Sequence, residues 1–506
     1  VVSVVVEVSH LDSRFSDRAL RTFSAKVMIV RVAAWMETEK AHPENVMAPL
    51  KLGYAVRLLE DRGHRVSLLD METGKYTEED IRQAFQSVRP EVVVLHGITT
   101  AVPVMKRLAL YVRQRLPGTL VVASGQHATA LPGEFIFDGS PFHAATQYEY
   151  EEPLGELVEA WSLGDLSLVG GLVLPDDDGG LLHTEPRLLR EDLDTLPMPA
   201  HERFMTDEYT VFHPTDVRRK RRWGFLLSSR GCPYPCVYCS PTLRNTYGRK
   251  MRYRSAENVV DEMEYLVGLG TTVLHFKDDI FTISKDRVMT LCDEILRRGL
   301  RVSWTCQTRA DCVDLALLKR MRKAGCCTVS YGVESGSARI LEILRKQETV
   351  DDALNAARWT REAGLFLVTF YLLANPTETI EEMEMTLALA KKIDPDILQV
   401  GFFTPYPGSP YYEETFKFEQ MPELELRPDE FSHYNKIINV SAVPTQQLMR
   451  FQRRFYRELI MRPGFVSRFL RNRLSGLPGN VQSEMKFLQL SARFLMKSIG
   501  NVKKSV

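Results

Sequence analysis

No stretch of about 18 consecutive apolar residues occurs anywhere in this 506-residue chain, so no membrane-crossing helix is expected. Net charge is absent too: 65 Lys and Arg stand against 65 Asp and Glu. That removes a global electrostatic argument for a nucleic-acid partner. Cysteine is missing before residue 232 and after residue 327; all eight cysteines, Cys232, Cys236, Cys239, Cys292, Cys306, Cys312, Cys326 and Cys327, fall in one region. A disulfide framework in so large a chain would not cluster this way, and a reducing cytoplasm is the expectation. Residues 1–8 are apolar but have neither a basic leader nor a long apolar run, so they do not read as a signal peptide. The first residue is Val1 rather than Met, which reads as a trimmed or partial start. Internal repeats and low-complexity segments are also lacking. What remains is an ordinary globular composition, 44% hydrophobic, long enough for two or three domains with cores of their own.

Residues 26–161 alternate short aliphatic runs with amphipathic stretches. Strands are predicted at 26–32, 66–69, 92–96, 119–123 and 144–146, and helices at 48–62, 77–87, 104–116 and 150–161. Apolar strands separated by helices mean a parallel sheet covered on both faces. The expected fold is a Rossmann-like or flavodoxin-like domain over 26–165, after an N-terminal extension, 1–25. Residues 166–222 read as a connector draped over the next domain, with a hairpin at 170–183 around an Asp/Gly turn and a basic run at 218–222. From residue 223 the alternation restarts. Six strands are predicted, at 224–229, 272–277, 301–308, 328–332, 366–372 and 398–404, with helices at 256–269, 285–298 and 315–324. Thr379 and Glu382 form a capping box that opens another helix to Ile393. Six strand–helix units over 223–410 fit a partial (β/α)6 TIM-type barrel, whose chemistry belongs on the loops after the strand C-termini. Residues 411–506 read as a helical C-terminal region. Within it, 487–506 is amphipathic with a basic end; a core-facing helix is preferred there over a membrane-surface one. The basic run 218–222 is read as a solvated linker face rather than a phosphate contact.

The densest chemical signal is Ser229-Arg230-Gly231-Cys232-Pro233-Tyr234-Pro235-Cys236-Val237-Tyr238-Cys239, directly after the first barrel strand. Three cysteines spaced C-x3-C-x2-C on one loop can ligate three irons of a 4Fe-4S cluster and leave the fourth iron open. Gly231 lets the loop turn, and Pro233 and Pro235 stiffen it. A zinc site needs four ligands, and no fourth lies nearby in sequence. Other polar residues gather after later strands: His275-Phe276-Lys277-Asp278-Asp279 after the second, Gln307 and Arg309 after the third, and Tyr331-Gly332-Val333-Glu334-Ser335-Gly336-Ser337 after the fourth. Pro405-Tyr406-Pro407-Gly408 follows the sixth.

With these motifs the chain resembles the radical S-adenosylmethionine (SAM) superfamily, and within it the cobalamin-dependent, methyltransferase-like subclass, over about residues 26–460. The resemblance implies that the open iron takes the amino and carboxylate groups of SAM, and that an electron from the reduced cluster yields a 5′-deoxyadenosyl radical. It places Tyr238 beside the adenine and Asp278 or Asp279 on the SAM amino group, although both aspartates also read as helix caps. Glu334 and Ser335 are assigned to SAM or its ribose, and Arg309, with Gln307 beside it, to the carboxylate. Glu334 and Arg309 also read as a structural ion pair. Pro376-Thr377-Glu378-Thr379 resembles the family's Pro-Gly-Glu-Thr turn, with Thr377 where the family has glycine.

The first domain resembles the subclass's cobalamin-binding domain through Pro49-Leu50-Lys51-Leu52-Gly53-Tyr54, Asp61-Arg62-Gly63-His64, Ile98-Thr99-Thr100 and Ser124-Gly125-Gln126-His127-Ala128-Thr129. Thr99, Thr100, Ser124, Gly125, Gln126 and His127 are the implied cobalamin contacts. The Asp-x-His-x-x-Gly motif that supplies a cobalt ligand elsewhere is lacking after 26–32, so the loop 31–44 is expected beneath the ring. Gln147-Tyr148-Glu149-Tyr150 departs from the family's Gly-Glu-Gly-Glu. The implied cofactors are a 4Fe-4S cluster, SAM and cobalamin. The implied partners are a small-molecule or natural-product substrate and an external electron donor such as flavodoxin or ferredoxin, with no nucleic acid. The implied activity is C-methylation of an unactivated carbon; a non-methylating cyclase or rearrangement enzyme of the same subclass would carry the same motifs. No residue is assigned to direct catalysis.

Overall fold

The computed structural model describes residues 24–33, 46–211, 222–239, 244, 246–415, 438–465 and 467. Most of the loop 31–44, most of the basic run 218–222 and all of the stretch 487–506 lie outside the described residues. The chain divides into two compact units. The first holds Pro49–Leu188 and Pro197–Ala200 with the N-terminal residues; the second holds His42–Ala48, Leu189–Leu196 and His201–Val506.

The first unit is built on β1 (Lys26–Arg31), β2 (Arg65–Asp70), β3 (Val92–His96), β4 (Leu120–Ser124), β5 (Ala144–Thr146), β6 (Leu172–Pro175) and β7 (Leu181–His183). Their order is β2-β1-β3-β4-β5-β6-β7, with β1 to β5 parallel. Aliphatic residues fill the strands because both faces are covered. Met28, Val93 and Val121 pack on one side; Ile29, Val94 and Val122 pack on the other with the helices Leu50–Asp61 and Glu151–Ser162. The hairpin expected in the connector is present, but β6 pairs antiparallel with β5 and so extends the first sheet. The rest of the stretch read as a connector is shared between the units: Leu189–Leu196 belongs to the second. There Asp194 accepts from the Ser255 backbone N–H and the Arg190 carbonyl accepts from Arg252.

The second unit holds a parallel sheet of β8 (Trp223–Leu226), β11 (Val273–Phe276), β12 (Ser303–Thr308), β13 (Cys326–Glu334), β14 (Phe366–Leu373) and β15 (Ile397–Phe402). They lie in sequential order, β8 and β15 at the two edges, as a partial (β/α)6 barrel requires. The expected first strand is broken after Leu226: Ser229–Arg230 (β9) turns away to pair antiparallel with Arg252–Tyr253 (β10). Helices cover the outside. Thr379 accepts from the Glu382 N–H while Glu382 accepts from the Thr379 N–H, the capping box anticipated from sequence. The helix Thr445–Ile460 buries Leu448, Phe451, Phe455 and Leu459 in the same core. It also guards the sheet edge: Tyr456 Oη accepts from the Val400 N–H at 2.8 Å and Gln452 donates to the Val400 carbonyl at 2.8 Å. Backbone groups of an edge strand otherwise invite pairing with another chain. Among the described residues no helix is long and apolar enough to cross a membrane.

Candidate functional site

In each unit the parallel strands bring a set of side chains to one C-terminal edge. The cysteine loop leaves β9 through Gly231, whose φ is +107° and where a Cβ would stand 2.2 Å from the Lys250 carbonyl oxygen. Only glycine fits there. The loop is then pinned by backbone bonds: Cys232 N–H to Gly248 at 3.1 Å, Val237 N–H to Leu344 at 3.1 Å and Tyr411 N–H to Val237 at 3.2 Å. Cys232, Cys236 and Cys239 are all free thiols. Burial pushes each of them up; Cys236 adds to the shift at Cys232, Cys232 and Cys236 add to that at Cys239, and Asp279 raises Cys232 and Cys239, while Lys346 opposes the shift at Cys236 and Cys239. Among the described residues no three His, Cys, Asp or Glu side chains converge on one point as a single ion needs. A cubane does not require convergence, because each thiolate takes its own iron. Three unpaired thiols on a braced loop, with cations near them, fit such a cluster.

The acidic pair after β11 separates into two roles. Asp278 is completely buried and accepts from Ser228 N–H at 2.9 Å, Ser228 Oγ at 2.7 Å and Ser229 Oγ at 2.5 Å. It caps no helix; it fixes the backbone that leads into the cysteine loop. Arg287 donates to the Ser228 carbonyl from the other side at 3.0 Å. Asp279 is half-buried, and its charge acts on the thiols.

Glu334 and Arg309 do not pair with each other. Arg309 stacks 3.5 Å above the Tyr234 ring and donates to both Asp311 oxygens at 3.0 and 2.9 Å, to the Lys346 carbonyl at 2.8 Å and to the Gln347 carbonyl at 3.1 Å. Four of its five N–H groups are thereby engaged, so the guanidinium braces the mouth rather than standing free for a ligand. Glu334 sits at a bulge in β13 with φ +63°. Its carboxylate accepts from Tyr238 Oη at 3.2 Å and faces Lys346 Nζ at 3.6 Å. Burial raises its pKa. Ser335 is fully buried and turned to Thr386, 3.2 Å away, so it supports the turn. Gln307 is half-buried, and its carbonyl accepts from the Phe281 N–H. Thr377 adopts φ +59° where glycine would be unstrained, held by Arg339 at both its carbonyl and its hydroxyl. Sequence reasoning missed Lys346, Glu348 and Cys312. Cys312 shares a small buried cluster with Cys232 and Ile280, and its sulfur lies 3.7 Å from Tyr234 Oη. None of the three belongs to a recognisable motif.

On the first unit's edge the register sets Arg31 beside His96 and His96 beside Ser124. Thr146 donates to Ser124 Oγ at 3.0 Å. These four lie two residues beyond Ile29, Val94, Val122 and Ala144, hence on the same face, and they end that apolar layer in a polar row. His96 was not anticipated; a polar residue closing the run Val92-Val93-Val94-Leu95 was the available signal. Its ring meets that of Tyr150 at 5.1 Å, and Lys51 lies over Tyr150 at 5.6 Å. Burial, then Arg31 and Lys51, hold its pKa down at about 3, so it stays neutral. Gly125 has φ +110°, and a Cβ there would stand 2.4 Å from the Gly97 carbonyl. His127 is buried, 3.1 Å from Thr99 Oγ1 and 3.4 Å from Glu134, which takes both residues into the scaffold. Thr100 and Gln126 are half-buried. Ile98 and Tyr148, in the loops after β3 and β5, are exposed. Close-set glycines, neutral hydroxyls and exposed apolar side chains on one edge fit a large organic ligand such as cobalamin.

Comparison with known proteins identifies two domains. Residues 226–390 match the Radical SAM superfamily and residues 40–158 match the B12 binding domain. An uncharacterized methyltransferase of Pyrococcus horikoshii is 29% identical over 82% of this chain and 88% of its own length. The anaerobic magnesium-protoporphyrin IX monomethyl ester cyclase of Rubrivivax gelatinosus is 25% identical over 83% of this chain and 74% of its own. The radical SAM methyltransferase TsrM of Kitasatospora setae, solved with cobalamin and a [4Fe-4S] cluster bound, shares the fold with a TM-score of 0.61, at 22% identity over 77% of this chain and 74% of that one. The chain carries a B12 binding domain followed by a Radical SAM domain, the architecture of cobalamin-dependent, methyltransferase-like radical SAM enzymes, and these domains imply a 4Fe-4S cluster, SAM and cobalamin as its cofactors.

Proposed function

We propose that this enzyme transfers a methyl group to an unactivated carbon of a small-molecule substrate. The observation that carries the reading is the braced loop of Cys232, Cys236 and Cys239 at the C-terminal mouth of a parallel barrel, in a chain that also carries a cobalamin-type sheet edge. When bound, the cluster and SAM supply a hydrogen-abstracting radical, and cobalamin supplies the methyl group. The protein's own residues position and shield these groups. Cys232, Cys236 and Cys239 would ligate three irons. Asp279 and Glu334, whose charges act on the thiols, are the candidates for the SAM amino and ribose groups, with Tyr238 beside the adenine. Asp278, Arg309 and Ser335 hold the backbone that presents them. In the first unit Ser124, Gly125, Gln126, Thr99 and Thr100 would border the cobalamin, with His127 behind them. An external one-electron donor, such as flavodoxin or ferredoxin, completes the system.

The relationship to the magnesium-protoporphyrin cyclase favours one second reading, a non-methylating cyclisation. SAM labelled in its methyl group separates the two. Label recovered in the product supports methyl transfer; an unlabelled product formed together with 5′-deoxyadenosine supports cyclisation and overturns the first reading.

A further inference from the structure

Beside the cysteine loop lies a chain of buried charges in which Lys346, Glu348 and Asp311 join the motif residues Glu334 and Arg309. Lys346 is 5% exposed, and its ammonium stands 3.6 Å from Glu334 and 3.5 Å from Glu348. Glu348, 7% exposed, accepts from the Ala310 N–H at 2.9 Å and faces Arg309 at 3.4 Å. Arg309 continues the chain to Asp311. The backbone is shaped to admit the lysine. Gly332 lacks the Cβ that would stand 2.3 Å from Glu334 and 3.2 Å from Lys346 Nζ, and the β13 bulge turns Glu334 inward at positive φ. The segment that carries Lys346 is tied to the cysteine loop: the Val237 N–H donates to the Leu344 carbonyl at 3.1 Å, two residues before Lys346.

A buried ammonium is costly to desolvate, and two carboxylates offset that cost. One of these, Glu334, also accepts from Tyr238 Oη at 3.2 Å, and Tyr238 lies between Cys236 and Cys239 in the loop. A three-cysteine cluster gains one negative charge on reduction, and in a low-dielectric site a fixed neighbouring cation favours that gain. We propose that Lys346 is a positioning residue that raises the reduction potential of the cluster, its ammonium seated in the space Gly332 leaves open. The inference rests on Cys232, Cys236 and Cys239 holding the cluster.

The test is an anaerobic redox titration of the reconstituted full-length chain with dithionite. It is followed by electron paramagnetic resonance, all samples at one pH, with iron counted on each sample. Lys346→Met is expected to keep its iron and titrate at a more negative potential. Lys346→Arg, which keeps the charge, returns toward the parent value. Glu348→Gln, which removes an opposing charge, shifts positively. Full iron with an unshifted potential in Lys346→Met overturns the proposal, as does an equal negative shift in Lys346→Arg. Should Lys346→Met fail to load iron, Glu348→Gln decides: a positive shift supports the proposal and any other result overturns it. Iron missing from the parent protein itself would instead overturn the cysteine assignment, and the inference with it.

Discussion

The two parallel sheets end in opposite chemistry. At the edge of the first, Arg31, His96, Ser124 and Thr146 form a row that is mostly neutral, with an imidazole kept uncharged and two hydroxyls bonded to each other. At the mouth of the second, thiols stand among Asp279, Glu334, Lys346, Glu348 and Arg309, all buried or half-buried. The same strand–helix logic built both. The difference matches what each edge is proposed to hold: the first a large organic ligand, the second an iron–sulfur cluster that would gain charge on reduction. Backbone glycine serves both edges, at Gly125 and Gly231, because each needs positive φ and a close backbone approach.

That comparison can be broken from either side. Gly231→Ala should have the largest effect, because its Cβ meets a backbone carbonyl that cannot step aside. Iron loading is expected to fall to background while cobalt binding persists. Gly125→Ala is the mirror experiment: cobalamin retention should drop severely while iron remains. Loss of both metals from either variant would mean that the two edges are not separable. Asp278→Asn weakens the anchor of the cysteine loop by exchanging a carboxylate that accepts three bonds. A loss of about 2–3 kcal/mol in chemical unfolding is expected, with iron loading reduced but not abolished.

The smallest effect lies away from both edges, at Glu382. The hydrogen bond from Arg339 and burial against it, with Thr379 and Ser337 contributing, leave its carboxyl at about 2. A depressed carboxyl contributes stability that is full above its ordinary value and lost as pH falls toward 2. Glu382→Gln should therefore cost about 1 kcal/mol at neutral pH and show no difference from the parent in strong acid. Urea unfolding across that range checks it.

Much of this was legible in the sequence, for identifiable reasons. The strands β1 to β5 and the barrel strands are runs of aliphatics between turn signals, and periodicity reads them to within a few residues. The cysteine loop was legible because ligand spacing is local. The polar row of the first edge was not, since it is made by register across four strands, and neither Arg31 nor His96 carries that information alone. The separate roles of Asp278 and Asp279 were likewise hidden. Which aspartate turns toward Ser228 depends on the break after β8, a tertiary feature. Arg309 and Glu334 read as partners because opposite charges follow neighbouring strands; Asp311, Glu348 and Lys346, nearer in space, claim them instead.

The most direct measurement is the metal content of Cys236→Ala after anaerobic reconstitution with iron, sulfide and hydroxocobalamin. Cys236 should be indispensable for iron and irrelevant to cobalt. The account predicts cobalt at the parent level, iron near background and no 5′-deoxyadenosine from SAM. Iron and 5′-deoxyadenosine at parent levels would contradict it.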